Sequence, residues 1–168
     1  MVLNDVKQGF TSLWESVSEG WQRLRQSAAG ALIRFMPGEH STLPGKSEVD
    51  DDFYFPSQGW ALLGGDVFED DQRVMVRVEI PGMRKDEIRI EVTDEALVVS
   101  GEKRFERESA EGRYRVLQCA YGNFRRMVPL ATRVLPDQAS ATYNDGVLKV
   151  VLPKASPGKP ASHTVHVS

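Results

Sequence analysis

Ala139-Ser140-Ala141-Thr142-Tyr143-Asn144-Asp145-Gly146-Val147-Leu148-Lys149-Val150-Val151-Leu152 decides the fold class. Two strand-forming runs, Ala139 to Tyr143 and Val147 to Leu152, flank Asn144-Asp145-Gly146. Asx and Gly accept the positive φ of a tight hairpin turn, so the stretch predicts two antiparallel strands. The same period of two continues upstream. Val74, Val76, Val78 and Ile80 alternate with Met75, Arg77 and Glu79, and Pro81-Gly82 ends that strand. Ile88, Ile90 and Val92 alternate with Arg89 and Glu91, and Leu97-Val98-Val99 is a short buried run closed by Ser100-Gly101. Arg113 to Val128 reads as one or two strands around Gly122, taken as a bulge or turn. About six to eight short strands with no helical pattern between them predict an all-β, immunoglobulin-like antiparallel β-sandwich over residues 58–154.

The flanks have a different character. In residues 1–36, Val6, Phe10, Leu13, Val17, Trp21, Leu24 and Ala28 recur at steps of three and four, which predicts a helix with one apolar face. Gly9, Gly20 and Gly30 weaken it, and Met36-Pro37-Gly38 stops it. Two readings fit this segment: a helix packed permanently on its own domain, or a mobile aromatic segment that meets other chains through Phe10, Trp14, Trp21 and Phe35. Residues 37–57 read as a linker, with Asp50-Asp51-Asp52 as a solvated hinge, so residues 1–57 form an N-terminal unit. Residues 155–168 form a polar, Pro/Gly-rich extension that ends Val165-His166-Val167-Ser168. Val165 and Val167, two apart, place both side chains on one face of a miniature strand.

Composition narrows the function. The chain has 168 residues, 40% hydrophobic and 27% charged, with a formal net charge of −3. That balance argues against a dedicated nucleic-acid binder. One cysteine, Cys119, excludes a disulfide framework and any multi-cysteine metal site. No secretory signal pattern is seen at the N-terminus, and a reducing cytoplasm is the expected compartment. His40, His163 and His166 all lie outside the expected sandwich, so its serines and Cys119 lack an imidazole for nucleophilic catalysis. Gly64-Gly65 lacks the Lys-Ser/Thr of a phosphate loop. No enzyme, cofactor or metal site is expected.

Several short motifs occur in one order. They are Asp66-Val67-Phe68-Glu69 before Asp70-Asp71, Glu79-Ile80-Pro81-Gly82, and Leu97-Val98-Val99-Ser100-Gly101-Glu102. Gly122-Asn123-Phe124-Arg125-Arg126 and Ala141-Thr142-Tyr143-Asn144-Asp145-Gly146-Val147-Leu148 follow. From about Trp60 to Lys154 this series resembles the α-crystallin domain of the small heat-shock proteins, with Arg126 at the family's characteristic arginine. Gln118-Cys119 stands where the family has Glu-Arg, and Leu130-Ala131 replaces its Leu-Pro, with Pro129 one place earlier. Pro129 has no N–H, so it is expected at a strand end or an edge.

The resemblance implies an ATP-independent holdase chaperone that binds partly unfolded clients and works as an oligomer of dimers. It implies an exchange of the Arg104–Arg115 loop between partners, with Gly112, Tyr114 and Arg126 at the dimer interface. Arg126, an arginine inside a β pattern, is expected to be paired. It also implies that Val165 and Val167 dock by strand addition between the strands of Ile88, Ile90, Val92 and of Ala139, Ala141. The alternation does not decide which of those side chains face such a groove. Two other readings stand beside it. One is a p23/CS-type co-chaperone, which would run as a monomer on a sizing column. The other is a membrane-surface module, which the weak basic balance of residues 1–36 disfavours.

Overall fold

The computed structural model describes residues 30–40, 42–56 and 59–157. Nine strands occur among them: β1 (Leu32–Phe35), β2 (Gly59–Leu62), β3 (Gly65–Glu69), β4 (Arg73–Glu79), β5 (Ile88–Val92), β6 (Ala96–Lys103), β7 (Gly122–Pro129), β8 (Ser140–Asn144) and β9 (Val147–Pro153). All strand pairs are antiparallel. They form a four-stranded sheet β3-β4-β9-β8, a three-stranded sheet β5-β6-β7 and a two-stranded ribbon β1-β2. Among the described residues the only helical pieces are single 3-10 turns, and no helix is long and apolar enough to cross a membrane.

Register explains the core. β4 pairs Val74 with Leu152, Val76 with Val150 and Val78 with Leu148 of β9, so six apolar side chains share one buried face. Leu97 and Val99 of β6, with Phe124 and Val128 of β7, meet them from the other sheet. Each such side chain contributes about 1.5–3 kcal/mol when fully buried. The β8–β9 hairpin turns as its sequence demands. Asp145 and Gly146 sit at φ 50° and 77°, between paired Asn144 and Val147. Two central residues of positive φ match the right-handed twist of the flanking strands. Pro129 ends β7, where its missing N–H costs no ladder bond.

Three expectations need correction. Residues 32–35 are a strand, not the end of a helix, because Ile33 and Phe35 turn onto the sandwich while β1 pairs with β2. The rest of the expected helix lies outside the described residues. Residues 37–57 are not a free linker either. Pro44, Val49 and Tyr54 are buried, and the Tyr54 hydroxyl donates to the Pro44 carbonyl at 2.8 Å. Finally, Gly122 begins β7 instead of bulging within a strand. Its Cβ, if it had one, would meet the Met36 carbonyl oxygen, to which Asn123 donates at 2.8 Å.

Candidate functional site

Among the described residues β5 and β8 are the open edges on one side of the sandwich, since β5 pairs there only with β6 and β8 only with β9. Hydrogen bonds tie the two edges together at both ends. The Tyr143 hydroxyl of β8 donates to the carbonyls of Ile80 (2.7 Å) and Met83 (3.1 Å), just before β5. At the far end Val134 N–H, ahead of β8, donates to the Asp94 carbonyl at 3.2 Å, just after β5. Along this seam Ile88, Ile90, Val92 and Ala139 are half-buried against the core, whereas Ala141 is exposed. Expected groove residues thus lie on two facing edges with their apolar groups partly open. Val165 and Val167 lie outside the described residues.

β3 is the other edge of the four-stranded sheet, and its exposed side chains include Val67 and Phe68. Beneath its start lies Arg126, which is only 8% exposed. Gly65 makes room for it: a Cβ there would stand 3.1 Å from the guanidinium and 2.4 Å from the Arg77 carbonyl oxygen. Nε and Nη1 of Arg126 have no hydrogen-bond partner among the described residues. The expected pair is therefore absent among the described residues, and burial pushes the guanidinium pKa below its usual range. A buried charge left this way is costly.

The loop between β6 and β7 carries Gly112 and Tyr114. Gly112 turns at φ 103° in open space, and Tyr114 forms a parallel bridge with Val49. Phe105 stacks edge-on against both Tyr114 (5.5 Å) and Tyr121 (5.2 Å).

Phe35, expected among client-binding aromatics, is 2% exposed and packs on the Phe124 ring at 5.4 Å. It belongs to the core, because the β1-β2 ribbon turns it inward. Phe10, Trp14 and Trp21 lie outside the described residues. The ribbon instead presents Leu32, Trp60 and Leu62 outward, each more than half exposed. Trp60 continues into a cleft of about 380 Å³ bounded by Phe53, Phe55 and Tyr121. The alternation of Trp60 and Leu62 around Ala61 was the sequence signal for that face.

One site went unread in the sequence. The Lys154 ammonium is fully buried and bonds the Glu69 carboxylate at 2.7 Å, and the Thr132 hydroxyl donates to the same oxygen at 2.7 Å. The lysine, then Thr132, holds the Glu69 carboxyl below the usual carboxylate range. This ties the free edge strand β3 to the point where the C-terminal extension leaves the domain. Among the described residues no cluster of His, Cys, Asp and Glu could hold a metal ion.

A model of the Hsp20/alpha crystallin family matches residues 66–168. The chain is 31% identical over 117 residues to the 18.2 kDa class I heat shock protein of Medicago sativa, covering 68% of this chain and 74% of that one. It is 32% identical over 93 residues to the 17.7 kDa class I heat shock protein of Oryza sativa subsp. japonica. That match spans 55% of this chain and 58% of the rice protein's length. Heat shock protein 16.0 from Schizosaccharomyces pombe superposes with a TM-score of 0.54 at 30% identity, covering 63% of this chain and 97% of that one.

Proposed function

Because the chain belongs to the Hsp20/alpha crystallin family, we propose that it is a holdase chaperone that binds unfolding proteins without ATP and works as an oligomer built from dimers. One observation carries the reading. The sandwich leaves β3, β5 and β8 as unpaired edges and displays Leu32, Trp60, Leu62, Val67 and Phe68 at its surface. Open edges beside exposed apolar groups invite uncontrolled aggregation, so a stable protein of this kind needs them covered by other copies or by clients.

Each surface takes one role in this account. The loop strand around Gly112 and Tyr114 crosses to the edge of the partner's β3, beside the exposed Val67 and Phe68. Crossing brings polar groups over Arg126 and gives that guanidinium its acceptor. Val165 and Val167 of one dimer dock between β5 and β8 of another, against Ile88, Ile90, Val92, Ala139 and Ala141. Clients meet Phe10, Trp14 and Trp21, together with the outward ribbon face. A cytoplasmic setting suits an exposed free thiol such as Cys119.

Co-elution tests the reading. The full chain is heated with a thermolabile substrate protein in the absence of nucleotide and then passed over a sizing column. Soluble substrate carried in a high-mass complex with the chain supports the holdase. Substrate that is lost to the pellet, while the chain elutes alone, refutes it.

A further inference from the structure

We propose that residues 46–50 form a seat that holds the strand around Tyr114 against its own chain, in competition with its exchange onto a partner's β3. The inference rests on the exchange reading above, and adds to it a parked state of the loop that limits dimer formation.

The seat has a hydrogen-bonded turn of its own. A 3-10 turn at Lys46–Glu48 is closed by Gly45 N–H donating to the Glu48 carboxylate at 2.7 Å, and Val49 beside it is buried. Four contacts hold the loop. Asp50 N–H donates to the Tyr114 carbonyl at 2.8 Å, as a strand neighbour would. Arg107 donates to the Glu48 carboxylate at 2.7 Å, and Arg113 reaches Asp50 at 2.8 Å and the Ser47 carbonyl at 3.3 Å. The two arginines stand on opposite sides of Gly112, whose positive φ folds the loop back on itself. Both opposing carboxylates belong to the seat. A loop extended onto another chain carries Arg107 and Arg113 away from Glu48 and Asp50.

The hold is thin, and that makes it a switch. Arg107, Arg113, Glu48 and Asp50 are all at least two-fifths exposed or close to it, so each pair contributes little. A single bridge is the loop's whole share of strand pairing among the described residues. Parked, Tyr114 shields its own backbone; released, it exposes a strand ready to pair. The seat therefore sets the monomer's cost of dimerising without touching the dimer contacts themselves.

Neutralising the seat tests this in the full chain. Glu48→Gln with Asp50→Asn keeps both shapes and leaves the loop unaltered. In a dilution series by mass photometry, the concentration of half-dissociation into monomers should fall about three- to tenfold. Restoring the charge at Glu48 and exchanging the other pair, Asp50→Arg with Arg113→Asp, leaves the turn's Gly45–Glu48 bond in place and should return it towards the parental value. An unchanged or raised half-dissociation concentration in the neutral variant overturns the seat. Hydrogen exchange at the Asp50 amide of the parent reads the same state without any variant. It should be protected in dilute monomer and lose protection on assembly; equal protection in both overturns the proposal. A chain with residues 106–113 replaced by Gly and Ser of equal length separates the two claims. If it assembles like the parent, the exchange reading itself fails. If it dissociates while the neutral variant matches the parent, only the seat fails.

Discussion

Replacing Glu69 by Gln removes the carboxylate charge that the buried Lys154 ammonium bonds at 2.7 Å. Breaking one side of a buried ion pair costs about 3–5 kcal/mol, because the remaining ion keeps its desolvation penalty. For a chain of this length each kcal/mol lowers Tm by about 2–4 °C, so Glu69→Gln should unfold roughly 6–20 °C below the parent. Lys154→Met removes the other ion, and the pair of changes together should recover most of the loss, since no uncompensated buried ion then remains. The sign with pH follows from the lowered Glu69 pKa. Its contribution is complete above the unfolded carboxyl pKa of about 4.3 and disappears as pH falls through the lower folded value. The stability curves of parent and Glu69→Gln should therefore lie apart at pH 7 and converge in acid. Urea unfolding followed by circular dichroism from pH 7 to pH 3 measures both. A gap of under about 1 kcal/mol at pH 7, or one that persists unchanged at pH 3, would refute the assignment of a buried pair.

Three further outcomes are expected. Arg126→Met should leave dilute monomer at least as stable as the parent, because it deletes a buried charge with two unpaired nitrogens, yet weaken assembly; sizing and urea melts on one sample check both. Deleting residues 1–29 should leave a folded sandwich that protects clients poorly, whereas deleting 1–36 also strips β1 and its buried Phe35, costing about 3 kcal/mol or more; thermal melts and an aggregation assay separate the two truncations. Val165→Ala with Val167→Ala should reduce larger assemblies to dimers, because each valine offers only about 1.5–3 kcal/mol and the tail holds through several copies at once. Twelve residues from Pro153 to Val165 span at most ~40 Å extended, enough to reach a neighbouring dimer; native mass spectrometry reads the change.

The strands were legible where local chemistry and tertiary demand agree. Asn144-Asp145-Gly146 demands a tight turn, and Val74, Val76 and Val78 demand one buried face, whatever else surrounds them. β1 was hidden because its partner lies beyond the packed residues 37–56, and because Ile33 and Phe35 share a segment whose aromatic spacing suits a helix. Residues 37–57 looked like a linker since Pro44, Val49 and Tyr54 are isolated among polar residues, and isolated apolar groups carry no period. Lys154 reads as an ordinary polar stop at a strand end; only the fold brings Glu69 and Thr132 to it. Arg126 was legible as a special position, but not as an unpaired one. Only the fold shows that its Nε and Nη1 are buried with no acceptor among the described residues.

Light scattering from a heated client protein, with the full chain added at equal molar amounts and no nucleotide present, measures the holdase claim most directly. The account predicts scattering suppressed close to the unheated baseline, unaltered by adding ATP, and restored largely when residues 1–29 are deleted. Scattering that rises as fast with the chain present as without it, under conditions where the sandwich stays folded, would contradict the account.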